Sequence, residues 1–175
     1  MKKNSLSTLI EGALMVGIAT TLSFVKIFQA PYGGSVTLGS MVPILLYSMR
    51  NGASKGIVAG ASYGLLQLII EPYIVHPVQV ILDYPLAFGL LGLAGLFNKK
   101  VWTGITVGIL GRFFSHFLSG VIFFGSYAPE GMNAFVYSAL YNGAYLLPEL
   151  AISLLAVRFV FYRFIRKDEE QNYLS

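Results

Sequence analysis

At 175 residues, 55% of them hydrophobic and only 11% charged, the chain cannot cover a water-facing surface, since soluble domains carry about 25% charge. It is read as a single all-α integral membrane domain over residues 1–175, with no room for a soluble domain. The net charge of +4 is not clustered on a polar face, which excludes nucleic acid; with no cysteine there is no thiolate chemistry, and two histidines with scattered carboxylates make no metal set.

A spanning helix needs about 20 apolar residues, fewer when it is buried among other helices. The expected helices of a six-helix transmembrane bundle are 6–28, 36–49, 54–70, 78–97, 101–124 and 139–164. The first follows Met1-Lys2-Lys3 with no small-residue cleavage site, so it is read as a retained helix and not a signal peptide. A polar, Gly-rich loop beginning at Gln29 leads to the short second helix. Arg50-Asn51-Gly52 turns the chain into the third, which Glu71-Pro72 ends. A loop rich in proline precedes the fourth helix, and Asn98-Lys99-Lys100 makes a tight turn into the fifth. The next loop contains Pro129 and Gly131, with room for one helical turn. After the sixth helix the polar tail is expected to fray.

An even number of spans puts both termini on one side. Lys2, Lys3, Arg50, Lys55, Lys99, Lys100, Arg158, Arg163, Arg166 and Lys167 all fall on that side, which makes the termini cytoplasmic. Only Lys26 approaches the opposite end, and Arg112 lies inside a helix. No phosphate-binding glycine loop is present, so ATP-driven work would need a separate protein.

Ionisable groups inside apolar helices are costly, so each asks for a partner or a ligand. At about 1.5 Å per residue, Asp83, His116 and Asn142 all lie within roughly 12 Å of the outer rim, a common depth for one outward-opening cavity. Asp83 is suited to accept from a cationic or N–H-donating ligand; the alternative is an ion pair with Arg112 or Lys26. Pro85 frees a backbone group just after Tyr84 and favours a bend there. His116, Gly120 and Phe124 recur at four-residue spacing and form one stripe. Gly120 admits either a flat ligand or a close-packed helix, and Phe124 offers an aromatic face. Asn142 offers donors and acceptors to a heterocycle edge. Among the tyrosines beside it, Tyr137 is assigned to the pocket, and Tyr141 and Tyr145 partly to an interfacial aromatic belt. Arg112 and Glu149 lie deeper, at matching depths, and are expected to form an ion pair. On the first helix Ala13 and Gly17 are four apart, a spacing that serves either a partner helix or the chain's own bundle.

Taken together, His76-Pro77-Val78-Gln79 with Leu82-Asp83-Tyr84, then Arg112-Phe113-x-x-His116-x-x-x-Gly120, Tyr127-Ala128-Pro129-x-Gly131, Tyr137-Ser138 and Tyr141-Asn142 resemble the thiamine-specific substrate-binding (S) subunit of energy-coupling factor transporters. Gly33-Gly34-Ser35-Val36-Thr37-Leu38 matches too, so the resemblance runs through nearly the whole chain. It implies six membrane helices and an outward-facing thiamine site. It implies that Asp83, where the family often has glutamate, engages the ligand, through water if its shorter side chain does not reach. Tyr84 then lies beside the hydroxyethyl end, His116 and Gly120 line the pocket, and Phe124 stands where some members stack a tryptophan. Tyr137 and Asn142 match side chains that bond the aminopyrimidine edge, and Tyr32 is the stand-in for a first-loop tryptophan. The face around Ala13 and Gly17 corresponds to the one that docks on a transducing membrane subunit, itself joined to two ATPase subunits.

The expected function is therefore capture of thiamine in the bacterial cell membrane, with no cofactor, no metal and no catalytic residue. Two alternatives stand beside it: an S subunit for a thiamine precursor or another vitamin, and a membrane enzyme using His116 and Asp83 as an acid–base pair.

Overall fold

In a computed structural model the chain is described over residues 5–172, except for the side chains of Tyr32 and of residues from 160 onward. Its helices are α1 (Ser5–Ser23), α2 (Val42–Asn51), α3 (Ala53–Ile70), α4 (Pro77–Phe97), α5 (Val101–Phe123) and α6 (Ala134–Asn172). All but α2 are long and apolar enough to cross a membrane, and they turn large apolar side chains such as Leu14, Ile69, Phe114 and Leu147 outward.

Between α1 and α2 lies an antiparallel hairpin of β1 (Lys26–Gln29) and β2 (Ser35–Thr37), with Phe28 opposite Val36 and Gln29 opposite Ser35. This corrects two expected boundaries. The first helix does not reach Phe28: Ser23 Oγ donates back to the Thr20 carbonyl, and the β-branched and aromatic run beyond it pairs as a strand. The second helix does not begin at Val36, which belongs to β2; Gly39 at φ +80° turns the chain, and Pro43 sits in the first turn of α2. At ten residues, α2 is about 15 Å long. It survives at membrane depth because it is wrapped in protein, with Ile44 and Leu45 wholly buried.

The fourth helix departs from regular geometry. Its first turn is α-helical, Leu82–Leu86 is a π-helix around Pro85, and Leu90–Phe97 is 3-10. Proline removes an N–H and crowds the carbonyl four residues back, and a wider turn relieves both. Ser115 Oγ donates to the Leu82 carbonyl at 2.6 Å, engaging an acceptor within that turn. The sixth helix begins at Ala134, earlier than expected, where Asn133 Oδ1 accepts from the Phe135 N–H at 2.8 Å. It continues to Asn172, through most of the tail expected to fray.

Glycines set how closely α3 and α4 approach. A Cβ at Gly60 would stand 2.2 Å from the Phe88 carbonyl oxygen, and one at Gly92 would stand 2.2 Å from Ile57 N. Only glycine allows this backbone contact, which in a membrane replaces the hydrophobic drive between helices.

Replacing Gly60 or Gly92 by leucine therefore forces the two backbones apart, at about 1–3 kcal/mol or more. Both variants should melt well below the wild type in detergent. Gly17→Leu should melt with the wild type, because a Cβ there meets nothing among the described residues within 4 Å. Equal melting of Gly60→Leu and wild type would contradict the packing account.

Candidate ligand-binding site

A cavity of about 940 Å³ opens between the hairpin and α3–α6, and Asp83, Tyr84, His116, Gly120, Phe124, Tyr137 and Asn142 all line it. The π turn of α4 presents Asp83 and Tyr84, α5 carries His116 and Gly120 with Phe124 capping its end, and α6 supplies Tyr137 and Asn142. The hairpin closes one side with Gln29 to Pro31 and Gly33 to Ser35.

Asp83 pairs with neither Arg112 nor Lys26. Its Oδ1 lies 3.0 Å from His116 Nδ1, and its Oδ2 accepts from Gln79 Nε2 at 2.7 Å and Ser119 Oγ at 2.9 Å. A carboxylate has about four acceptor positions, so one remains for a ligand. Lys26 is bound instead to Glu71, joining the start of the hairpin to the end of α3.

The expected Arg112–Glu149 ion pair does not form, for matching depth does not fix the direction in which a helix presents a side chain. Arg112 lies over the Phe88 ring, 4.0 Å from its centroid, and its Nε donates to His116 Nε2 at 3.3 Å. Glu149 Oε1 accepts from the Thr37 N–H at 2.5 Å and Thr37 Oγ1 at 2.7 Å. Glu149 thus anchors the inner end of the hairpin to α6.

Two tyrosines assigned partly to an interfacial belt do different work. Tyr145 is buried and donates to Asn142 Oδ1 at 2.6 Å, with its ring edge-on to His116. Tyr141 donates to the Pro31 carbonyl and accepts from the Gly34 N–H, tying the hairpin tip to α6. Asn142 is 4% exposed, and its amide N–H groups donate to the Ser138 and His116 carbonyls. What it retains for a ligand is a lone pair on Oδ1. Gly120 serves close packing as well as the cavity, since a Cβ there would stand 2.2 Å from Ser138 Oγ. Tyr84 accepts from the Tyr73 N–H and donates to the Glu71 carbonyl, both at 2.8 Å, and Phe124 rests against Tyr73. The Tyr32 assignment lies outside the described side chains.

Gln79 and Ser119 escaped the sequence reading as site residues, yet both hold Asp83. Their spacing carried a signal: Gln79 is one helical turn before Asp83, and Ser119 is three residues after His116. Gln79, only 1% exposed, also accepts from Val75 N and donates to the Tyr73 carbonyl, so the outer loop and the carboxylate are fixed together. Away from this cavity, exposed Ala13 and Gly17 of α1 line a mostly apolar groove with Ile10, Leu14, Ile18, Thr21 and Leu22.

Comparison with known proteins places these features in a family. Residues 9–168 match the family model described as Thiamine transporter protein (Thia_YuaJ). The thiamine transporter ThiT of Bacillus subtilis is 34% identical over 91% of this chain and 93% of its own. That of Lacticaseibacillus paracasei is 32% identical over 87% and 85%. The solved structure of ThiT from Listeria monocytogenes superposes with a TM-score of 0.83 at 28% identity, covering 92% of this chain and 96% of that one. An S component of a bacterial ECF transporter shares the fold, with a TM-score of 0.55 at 18% identity and coverage of 92% and 99%.

The hairpin contacts generate a direct test. Tyr141→Phe removes both bonds to the hairpin tip, each worth about 1 kcal/mol. Amide hydrogen exchange over residues 30–35 should rise at least about fivefold, with α1 and α6 unchanged. Unaltered exchange would mean that the strand pairing holds the tip by itself.

Proposed function

The chain belongs to the Thiamine transporter protein family, and on that premise we propose that it is the thiamine-binding subunit of an energy-coupling factor uptake system. It is a multi-pass protein of the bacterial cell membrane and a transport protein, not an enzyme. Thiamine enters the cavity around Asp83 from outside and leaves inward with the help of a separate ATP-driven module.

The observation that carries this reading is a carboxylate set in an aromatic cavity, with one acceptor position left open. Thiamine presents a cationic thiazolium, a flat aminopyrimidine and a hydroxyl. Asp83 answers the cation, and Phe124 and the tyrosines answer the flat ring. Asn142 Oδ1 accepts from the exocyclic amine, beside Tyr137, while Tyr84 and its loop lie toward the hydroxyethyl end. His116 is not placed for acid–base chemistry, because one ring nitrogen faces a carboxylate and the other a guanidinium.

Residues 1–175 act as one domain with both termini cytoplasmic, supported by the Lys and Arg residues gathered on that side. The transducing membrane subunit docks on α1. Ala13 and Gly17 are exposed, and no neighbour among the described residues needs Gly17 to be small, which favours an external helix as their partner.

Titration of purified protein should show tight one-to-one thiamine binding. Asp83→Ala and His116→Ala should each weaken it at least about tenfold, as expected for losing a hydrogen bond to a charged group. A folded wild type that does not bind would remove thiamine as the ligand. Ala13→Leu and Gly17→Leu should abolish uptake by whole cells while leaving the titration unchanged; loss of binding in these variants would place the two residues in internal packing.

A further inference from the structure

The proton on His116 is set by its neighbours. A guanidinium does not lose its proton at physiological pH and has only donors. Arg112 Nε donates to His116 Nε2, so that nitrogen presents its lone pair. The ring's remaining proton is then on Nδ1, where it is donated to Asp83 Oδ1 at 3.0 Å. Three residues thus form one directed chain, from a fixed cation through a neutral ring to a carboxylate.

We propose that Arg112 is a positioning residue for ligand binding: it holds His116 as the neutral Nδ1–H imidazole, so that the cavity gains no further positive charge as pH falls. The consequence concerns the charge of the ligand. An imidazolium beside Asp83 would occupy the carboxylate with an internal cation and repel a cationic ligand. With Nε2 facing Arg112, that proton has no place to bind. The other titratable side chains lining the cavity are Glu71, which is taken by Lys26, and the phenols of Tyr73, Tyr84, Tyr127, Tyr137, Tyr141 and Tyr145; a phenol ordinarily carries no charge near neutral pH. Arg112 and Asp83 are therefore the groups that set the field at the ring.

The inference rests on the thiamine reading for its consequence but not for its first test. Nitrogen NMR of ligand-free protein labelled at histidine sees two residues, and His76→Gln assigns them. His116 should be neutral with its proton on Nδ1. A proton on Nε2, or on both nitrogens, overturns the proposal whether or not thiamine binds. The second test is thiamine affinity from pH 8 to pH 6. Wild type and Arg112→Lys, which keeps an obligate donor, should be flat. Arg112→Met frees Nε2, and its affinity should fall with pH by up to about tenfold per unit, the limit for displacing one proton. An Arg112→Met variant weakened equally at every pH would reduce Arg112 to a packing role and overturn the proposal. Should that variant fail to fold, the NMR of the wild type decides.

Discussion

A carboxylate held at membrane depth is the constraint from which the rest of this structure follows. Asp83 is 16% exposed in its side chain, and a charge so placed needs donors on several sides. They come from two helices: Gln79 one turn earlier on α4, and Ser119 and His116 across on α5, with Arg112 behind the histidine donating to its ring. The π turn around Pro85 belongs to the same arrangement, since it opens α4 where two adjacent residues must both face the cavity. Most of the acceptor capacity of this carboxylate is used to hold it still.

Close packing on one side of the bundle leaves room for the cavity on the other. Glycines on α3 and α4 bring two backbones into contact, so that the irregular α4 is braced along its inner half. Toward the outside, the hairpin supplies the missing wall. Its inner end is fixed by Glu149 through Thr37, its start by the Lys26–Glu71 pair, and its tip by Tyr141. Gly34 rests against the Tyr145 ring, where a Cβ would stand 2.5 Å from the ring carbons. Glu71, Tyr141 and Tyr145 thus both line the cavity and hold its wall.

Much of this was legible in the sequence because membranes make polar residues conspicuous. Asp83, Arg112 and His116 stand out in apolar runs, and the helix spacing aligned His116, Gly120 and Phe124 before any coordinates. The hairpin was not legible, for Val25, Ile27 and Phe28 are as apolar as the helix they follow, and hydrophobicity alone does not separate strand from helix. Gln79 and Ser119 are neutral and ordinary, so only their spacing from Asp83 and His116 hinted at their role. The Arg112–Glu149 pairing failed because residues at one depth can point to different neighbours. Tyr141 and Tyr145 looked like belt residues, and only the folded hairpin reveals what their hydroxyls reach.

The most direct test is the structure of the protein crystallised with thiamine. The thiazolium should lie against Asp83, with the aminopyrimidine between the aromatic side chains and its amine toward Asn142 Oδ1. The Arg112–His116–Asp83 chain should be unbroken. Thiamine bound elsewhere, or seated in the cavity with Asp83 turned away to another partner, would contradict the account.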